Sequence, residues 1–168
     1  MKLISLLLIC AALAFGAGCG KKASDISDLE RKQAANLASE ANFALTLRDY
    51  ARAEPLFAQA AKLCPDTGEY WLNLGMVRVR QGNKSAAKDA YKGALTAYRE
   101  AFEREPQNAE PLLQEVYVLA LLGRPDDARE AAEKALEQQP NDRSVRMFVE
   151  GKQLDRILAD PAFKEIAL

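Results

Sequence analysis

Alanine recurs at a fixed interval, and that interval constrains the fold more than any other feature of the sequence. Ala53 and Ala87 lie 34 residues apart, as do Ala60 and Ala94, and Leu37 and Trp71. A period of this length marks a chain of stacked supersecondary units, each too small to bury its apolar face alone. Between the second unit and a third the interval is 41, from Trp71 to Leu112, Ala87 to Ala128 and Ala94 to Ala135. It returns to 34 from Ala101 to Ala135 and from Pro106 to Pro140, so seven residues have entered between Ala94 and Ala101. Seven residues are nearly two helical turns and bring the chain back to the same face. Tyr91, Ala94, Tyr98 and Ala101 repeat one pattern with that shift. The spacing therefore predicts one uninterrupted helix over residues 84–104, with Gly93 as its weak position.

Composition supports helices throughout. Alanine, leucine, glutamate, lysine and arginine dominate, aromatics make up 7%, and β-branched residues seldom alternate. The balance of 23 basic against 24 acidic residues leaves no field to gather phosphates, so no nucleic acid partner is expected. The absence of histidine excludes histidine-based triads, histidine general bases and most zinc or iron sites. Asp126, Asp127, Glu69 and Glu110 fall at helix starts and exposed faces, where capping and solvation account for them. No catalytic residue, metal or cofactor is assigned, and the chain is not expected to be an enzyme.

The spaced residues resemble the tetratricopeptide family unit by unit. The first unit has Leu37, Ala41, Ala44, Asp49, Tyr50, Ala53, Phe57, Ala60 and Pro65. The second has Trp71, Leu74, Gly75, Gly82, Asn83, Ala87, Tyr91 and Ala94, and the third Leu112, Leu119, Gly123, Ala128, Ala132, Ala135 and Pro140. Small residues at these sites let two helices of a hairpin pack closely, and the prolines end each second helix. Val116 and Glu115 depart from the pattern, which would set the first helix of the third unit slightly outward. The resemblance implies an all-α fold, a right-handed superhelical array of three helix-turn-helix hairpins, with units at about 34–67, 68–108 and 109–142 in a domain of residues 28–142.

The flanks complete this organisation. Residues 3–15 are an apolar run after Met1 and Lys2, followed by Gly16, Ala17 and Gly18. Residues 1–18 read as a targeting signal. Ala17, Gly18 and then Cys19 resemble a bacterial lipoprotein signal, with Gly16 where an aliphatic residue is usual; the resemblance implies a lipidated Cys19. An ordinary cleaved secretory signal and an uncleaved span are the alternatives. Gly20 after the cysteine implies the outer membrane, facing the periplasm, where the organism has one. Residues 19–27 read as a polar tether, and Ser27 with Glu30 fits a capping box that opens a helix near Asp28. With Cys10 in the leader and Cys19 lipidated, Cys64 has no disulfide partner and reads as a small buried side chain. Residues 143–168 should supply capping helices over the last hairpin, through Val145, Phe148, Leu154 and Ile157, closing with Asp160 as a cap, Pro161 in the first turn, and Phe163 and Ile166 packing back.

In the family the first helix of each unit lines a concave groove. The matched residues best suited to a partner are Asn42, Asn73, Met76, Arg80, Gln114 and Tyr117, because core packing has little use for most of them. Some relatives clamp a peptide carboxylate with cations; Ala38, Glu110 and Gln114 stand where those cations would be, so that clamp is not expected. The reading is an envelope scaffold or assembly factor that binds another protein or a peptide segment and is held to the membrane by its lipid. The alternative is a structural protein that associates with copies of itself.

Overall fold

The computed structural model describes residues 23–168; the leader, Cys19 and the first part of the expected tether lie outside them. Three helical hairpins follow one another. α1 (Asp28–Thr46) pairs with α2 (Tyr50–Leu63), α3 (Gly68–Arg80) with α4 (Lys84–Arg104), and α5 (Glu110–Leu121) with α6 (Pro125–Gln138). Three short helices close the chain: α7 (Arg143–Glu150), α8 (Gln153–Ala159) and α9 (Pro161–Lys164). There is no strand among the described residues, and none of their helices is long and apolar enough to cross a membrane.

Five helix starts have a side-chain cap. Ser27 Oγ accepts from the Glu30 amide at 3.3 Å while the Ser27 amide donates to Glu30 Oε2 at 2.9 Å, a reciprocal box that opens α1. Asp49 accepts from the Arg52 amide to open α2, and Asn83 from the Ala86 amide to open α4. Asp142 and Asp160 do the same for α7 and α9. Pro55 lies on the exposed side of α2 and does not break it.

The hairpin turns repeat one geometry. The amides of Asp49, Asn83 and Arg124 donate to the carbonyls of Ala44, Arg78 and Leu119 at 2.9, 2.8 and 3.1 Å, which ties off α1, α3 and α5 in the same way. The residue before each donor has a positive φ: Arg48 at 56°, Gly82 at 81° and Gly123 at 70°. Two of the three repeat-equivalent positions are glycine, and Arg48 bears the left-handed strain that they avoid. Arg48→Gly is therefore expected to stabilise the protein by about 0.5–1 kcal/mol, seen as a higher urea midpoint; a lower midpoint would show that the arginine side chain contributes more than its backbone costs.

The long helix carries the seven extra residues. On α4 the ring of Tyr91 lies against Gly75 of α3, and the ring of Tyr98 lies against Gly68, seven residues along each helix in opposite directions. The insertion thus duplicates one glycine–tyrosine contact, and antiparallel packing gives the duplicate its own glycine. Gly93 is a correction to its sequence reading as a weak position. A Cβ there would lie 2.8 Å from the indole of Trp71, so the missing side chain makes room for that ring, whose Nε1 donates to the Pro65 carbonyl at 3.0 Å.

Two large apolar clusters, and a smaller third of Ala109, Leu112, Ala135 and Val145, hold the hairpins. One gathers Ala34, Ala38, Ala41, Ala44, Ala53, Phe57 and Cys64 with Leu74 and Val77 of the next hairpin. The other runs from Leu72, Tyr91 and Leu95 through Val116, Val118 and Leu121 to Phe148, Leu154, Phe163 and Ile166. Hairpins are also linked by ion pairs: Arg31 with Asp66 at 3.0 Å, Arg78 with Glu54 at 3.0 Å, and Arg99 with Glu115 at 2.7 Å. Asp66 is the most enclosed of these carboxylates, with its side chain 8% exposed, and the pair fastens α1 to the turn before α3.

Two flanking expectations differ from the structure. Residues 23–27, read as the end of a polar tether, lie on the domain: Ile26 is buried in the first cluster and the Ala23 carbonyl accepts from Arg31. One isoleucine among polar residues suffices to dock the segment. The closing helices are expected to cover the open apolar side of the last hairpin. They reach the second hairpin as well, because Gly151 and a left-handed Lys152 at φ 50° break the helix and turn residues 153–168 back across α5 toward α3.

Candidate functional site

The first helices α1, α3 and α5 present one face of the array, and the residues expected to bind a partner divide into three groups on it. Met76 and Arg80 share a cleft of about 320 Å³ with Leu45, Thr46, Arg48 and Tyr50, between the C-terminal ends of α1 and α3. The Arg80 guanidinium sits 5.8 Å from the Tyr50 ring centroid, a cation over an aromatic face. Gln114 lies at the opposite end, in a cleft of about 370 Å³ with Thr67, Glu69, Leu72, Tyr98 and Glu110, formed by the N-terminal ends of α3 and α5. Asn42 is exposed on α1 and Asn73 half-buried on α3, in neither cleft.

Tyr117 is different. Its ring meets Phe163 edge-on, with centroids 5.6 Å apart, and the side chain is half-buried. Ile166 joins Phe163 in the cluster against which Met76, Val79 and Tyr117 pack. The Tyr91 hydroxyl donates to the Ile166 carbonyl at 2.6 Å, and the Leu168 amide donates to the Leu121 carbonyl at 2.9 Å. Glu165 reaches Arg80 at 3.5 Å, a contact with both partners largely in solvent. Residues 161–168 therefore lie against α3, α4 and α5. The expected groove residues Met76, Arg80 and Tyr117 thus border residues 161–168, and Met76 and Arg80 also line the cleft beside α1. Sequence reasoning placed Phe163 and Ile166 inward but had no means of choosing the surface they meet, since any apolar surface within reach satisfies the same pattern.

The electrostatics are quiet. Burial pushes the phenols of Tyr91 and Tyr98 far above their ordinary value, and burial first, then Asp160, raises that of Tyr117. All three stay protonated, so Tyr91 remains a hydrogen-bond donor at any physiological pH. Asp126 and Asp127 pair with Arg129 and Arg124 on the surface of α6, while Glu69 and Glu110 stand exposed beside the Gln114 cleft. Among the described residues no group of three histidine, cysteine or acidic side chains converges as metal ligands would.

Two tetratricopeptide-repeat family models match the chain, one over residues 39–96 and one over residues 85–150. Residues 39–150 are tetratricopeptide repeats. The repeats span α1 to α7 and so include every helix that lines the two clefts. Among solved structures, the chain is similar to the first TPR of Spaghetti (RPAP3) bound to the HSP90 peptide SRMEEVD, at 15% identity and a TM-score of 0.47, covering 77% of this chain and 96% of that one. It is also similar to the Arabidopsis OM64 TPR domain, at 16% identity and a TM-score of 0.45, covering 76% of this chain and 98% of that one. No curated protein sequence matches it. Repeats of this family serve protein–protein interaction.

Proposed function

We propose that this protein is a lipid-anchored scaffold of a bacterial cell envelope, held by acyl chains on Cys19 and binding a protein or peptide segment on the face formed by α1, α3 and α5. The observation that carries the reading is the pair of clefts on that face. Each has walls from successive repeats and mixes apolar floor with a few polar groups, Arg80 and Tyr50 in one, Gln114 and Glu69 in the other. Such a mixture suits an extended or helical segment bound by its backbone and a few anchoring side chains. The anchor is supported by the leader and the small residues before Cys19. Several acyl chains, at about 0.8 kcal/mol per buried methylene, would keep the protein on its membrane indefinitely.

The test is photocrosslinking in intact cells, with the crosslinker at Gln114 or Asn42 on the proposed face and at Lys92, which is exposed on α4, as control. A discrete adduct from the first two sites and none from Lys92 is expected; equal yields from all three would sink the reading. Cys19→Ser should move the protein from the membrane fraction to the soluble fraction, and an unchanged distribution would remove the anchor. Self-association is the second reading, favoured by Leu29, Phe43 and Leu47, which stand 66%, 58% and 62% exposed on or just after α1. A sedimentation coefficient that rises with concentration would favour it.

A further inference from the structure

Residues 161–168 contact the repeats as a bound peptide would. One short helix, α9, offers Phe163 to Tyr117; the next turn places Ile166 in the core cluster against which Met76 and Val79 also pack; Glu165, between them, faces Arg80. Two backbone bonds complete the contact, from the Tyr91 hydroxyl to the Ile166 carbonyl and from the Leu168 amide to the Leu121 carbonyl. An aromatic and an aliphatic anchor three positions apart, with main-chain bonds and one charge, is how a helical segment is read in an apolar groove.

The segment is only partly enclosed. It follows the break at Gly151 and a left-handed Lys152 at φ 50°, and the short helix α8, whose Leu154 is buried in the same cluster. Pro161, Ala162, Lys164 and Glu165 are exposed, Phe163 and Ile166 are buried, and Ala167 and Leu168 are half-buried against the same cluster. Tyr91, Val116, Val118 and Leu121, which share its cluster, belong to α4 and α5.

We propose that residues 161–168 are a built-in ligand of the repeats, and that a partner binds the α3–α5 face by displacing them with a segment of the same chemistry: an aromatic residue, an acid two positions later, and an aliphatic residue next to the acid. This rests on the scaffold reading and adds to it what the partner's segment looks like and what it must displace. Because the built-in segment is tethered, its effective concentration is high, and a free competitor sees only the small fraction of molecules in which the face is open. Binding in trans is then weak in the intact protein and strengthens when the built-in copy is weakened.

The experiment uses the full chain in detergent and, as probe, a fluorescein-labelled synthetic peptide of residues 159–168, read by anisotropy. The double variant Phe163→Ala with Ile166→Ala is expected to bind the peptide about tenfold or more tightly than the unaltered protein. Adding Tyr91→Phe or Arg80→Ala to that variant should weaken binding again, since these changes lie on the receiving side. Glu165→Lys guards against misfolding of the double variant: its side chain is 66% exposed, so the core is untouched. It should raise peptide affinity about threefold by opposing Arg80, a size suited to an exposed pair. Affinities unchanged by both the double variant and Glu165→Lys would overturn the proposal. If the double variant does not fold, the outcome for Glu165→Lys alone decides. Peptide binding without any crosslinked cellular partner would sink the scaffold reading and leave the built-in ligand standing; the reverse result would do the opposite.

Discussion

Phe57→Ala is expected to lower the unfolding free energy by about 3–5 kcal/mol, in the upper part of that range. Phe57 is wholly buried, and its neighbours in the first cluster are mostly alanines: Ala34, Ala38, Ala41, Ala44, Ala53 and Ala60. The cost of a large-to-small change depends on how far the surroundings can collapse into the void, and an alanine has no side-chain torsion with which to do so. The larger buried members Leu74 and Val77, contributed by the next hairpin, are held in α3. Urea unfolding measures the loss. Phe43→Ala serves as control, because Phe43 is 58% exposed on α1 and should change stability by less than about 0.5 kcal/mol. Similar losses for the two would show that burial does not govern this hairpin.

Gly75→Val is the second large effect, at or above the upper end of about 1–3 kcal/mol for overpacking. A Cβ on residue 75 would fall on the Tyr91 ring, at Cδ1 and Cε1. A flexible side chain could swing aside, but Tyr91 is wholly buried and its hydroxyl is bonded to the Ile166 carbonyl at 2.6 Å, so the ring is held at both ends. The strain must go into separating α3 from α4. Gly82→Val is the comparison: nothing lies within 4 Å of a Cβ there, and only the positive φ of 81° resists it. The two glycines therefore fail for different reasons, and only the first should respond to its neighbour. Combined with Tyr91→Ala, Gly75→Val is expected to cost clearly less than the sum of the single changes; additive losses would show that the ring is not what excludes the side chain.

Most of the fold was legible because repetition samples each position more than once. Ala53, Ala87 and Ala128 mark the same place in three hairpins, and all three are fully buried. The seven-residue interval placed α4 at 84–104, since helical geometry leaves an insertion of nearly two turns no other way to keep its face. Local chemistry was equally readable in the cap pair Ser27 and Glu30, and in Asp160 before Pro161. Gly93 was misjudged for a simple reason: helix propensity counts the cost of glycine within its own helix and is blind to the Trp71 ring that lies against it from α3.

The candidate site was legible only in part. Met76, Arg80 and Gln114 line clefts between successive first helices, whereas Asn42 and Asn73 lie outside both. Tyr117 was recognised as a groove residue from its helical register, and register could not reveal that Phe163 sits upon it.

The amino-acid sequence by itself determined what repeats and what is local: the three hairpins, the lengthened helix, the caps, and an inward-facing Phe163 and Ile166. Each follows from short-range geometry, in which period, small residues and capping groups act within a turn or two of their own position. Only the tertiary structure decided where residues 161–168 go. Their anchors are generic apolar groups that could satisfy any exposed core edge. It took the break at Gly151 and Lys152, the reach back across α5, and a Tyr91 hydroxyl 75 positions away in the chain to place them on the face where a partner would bind.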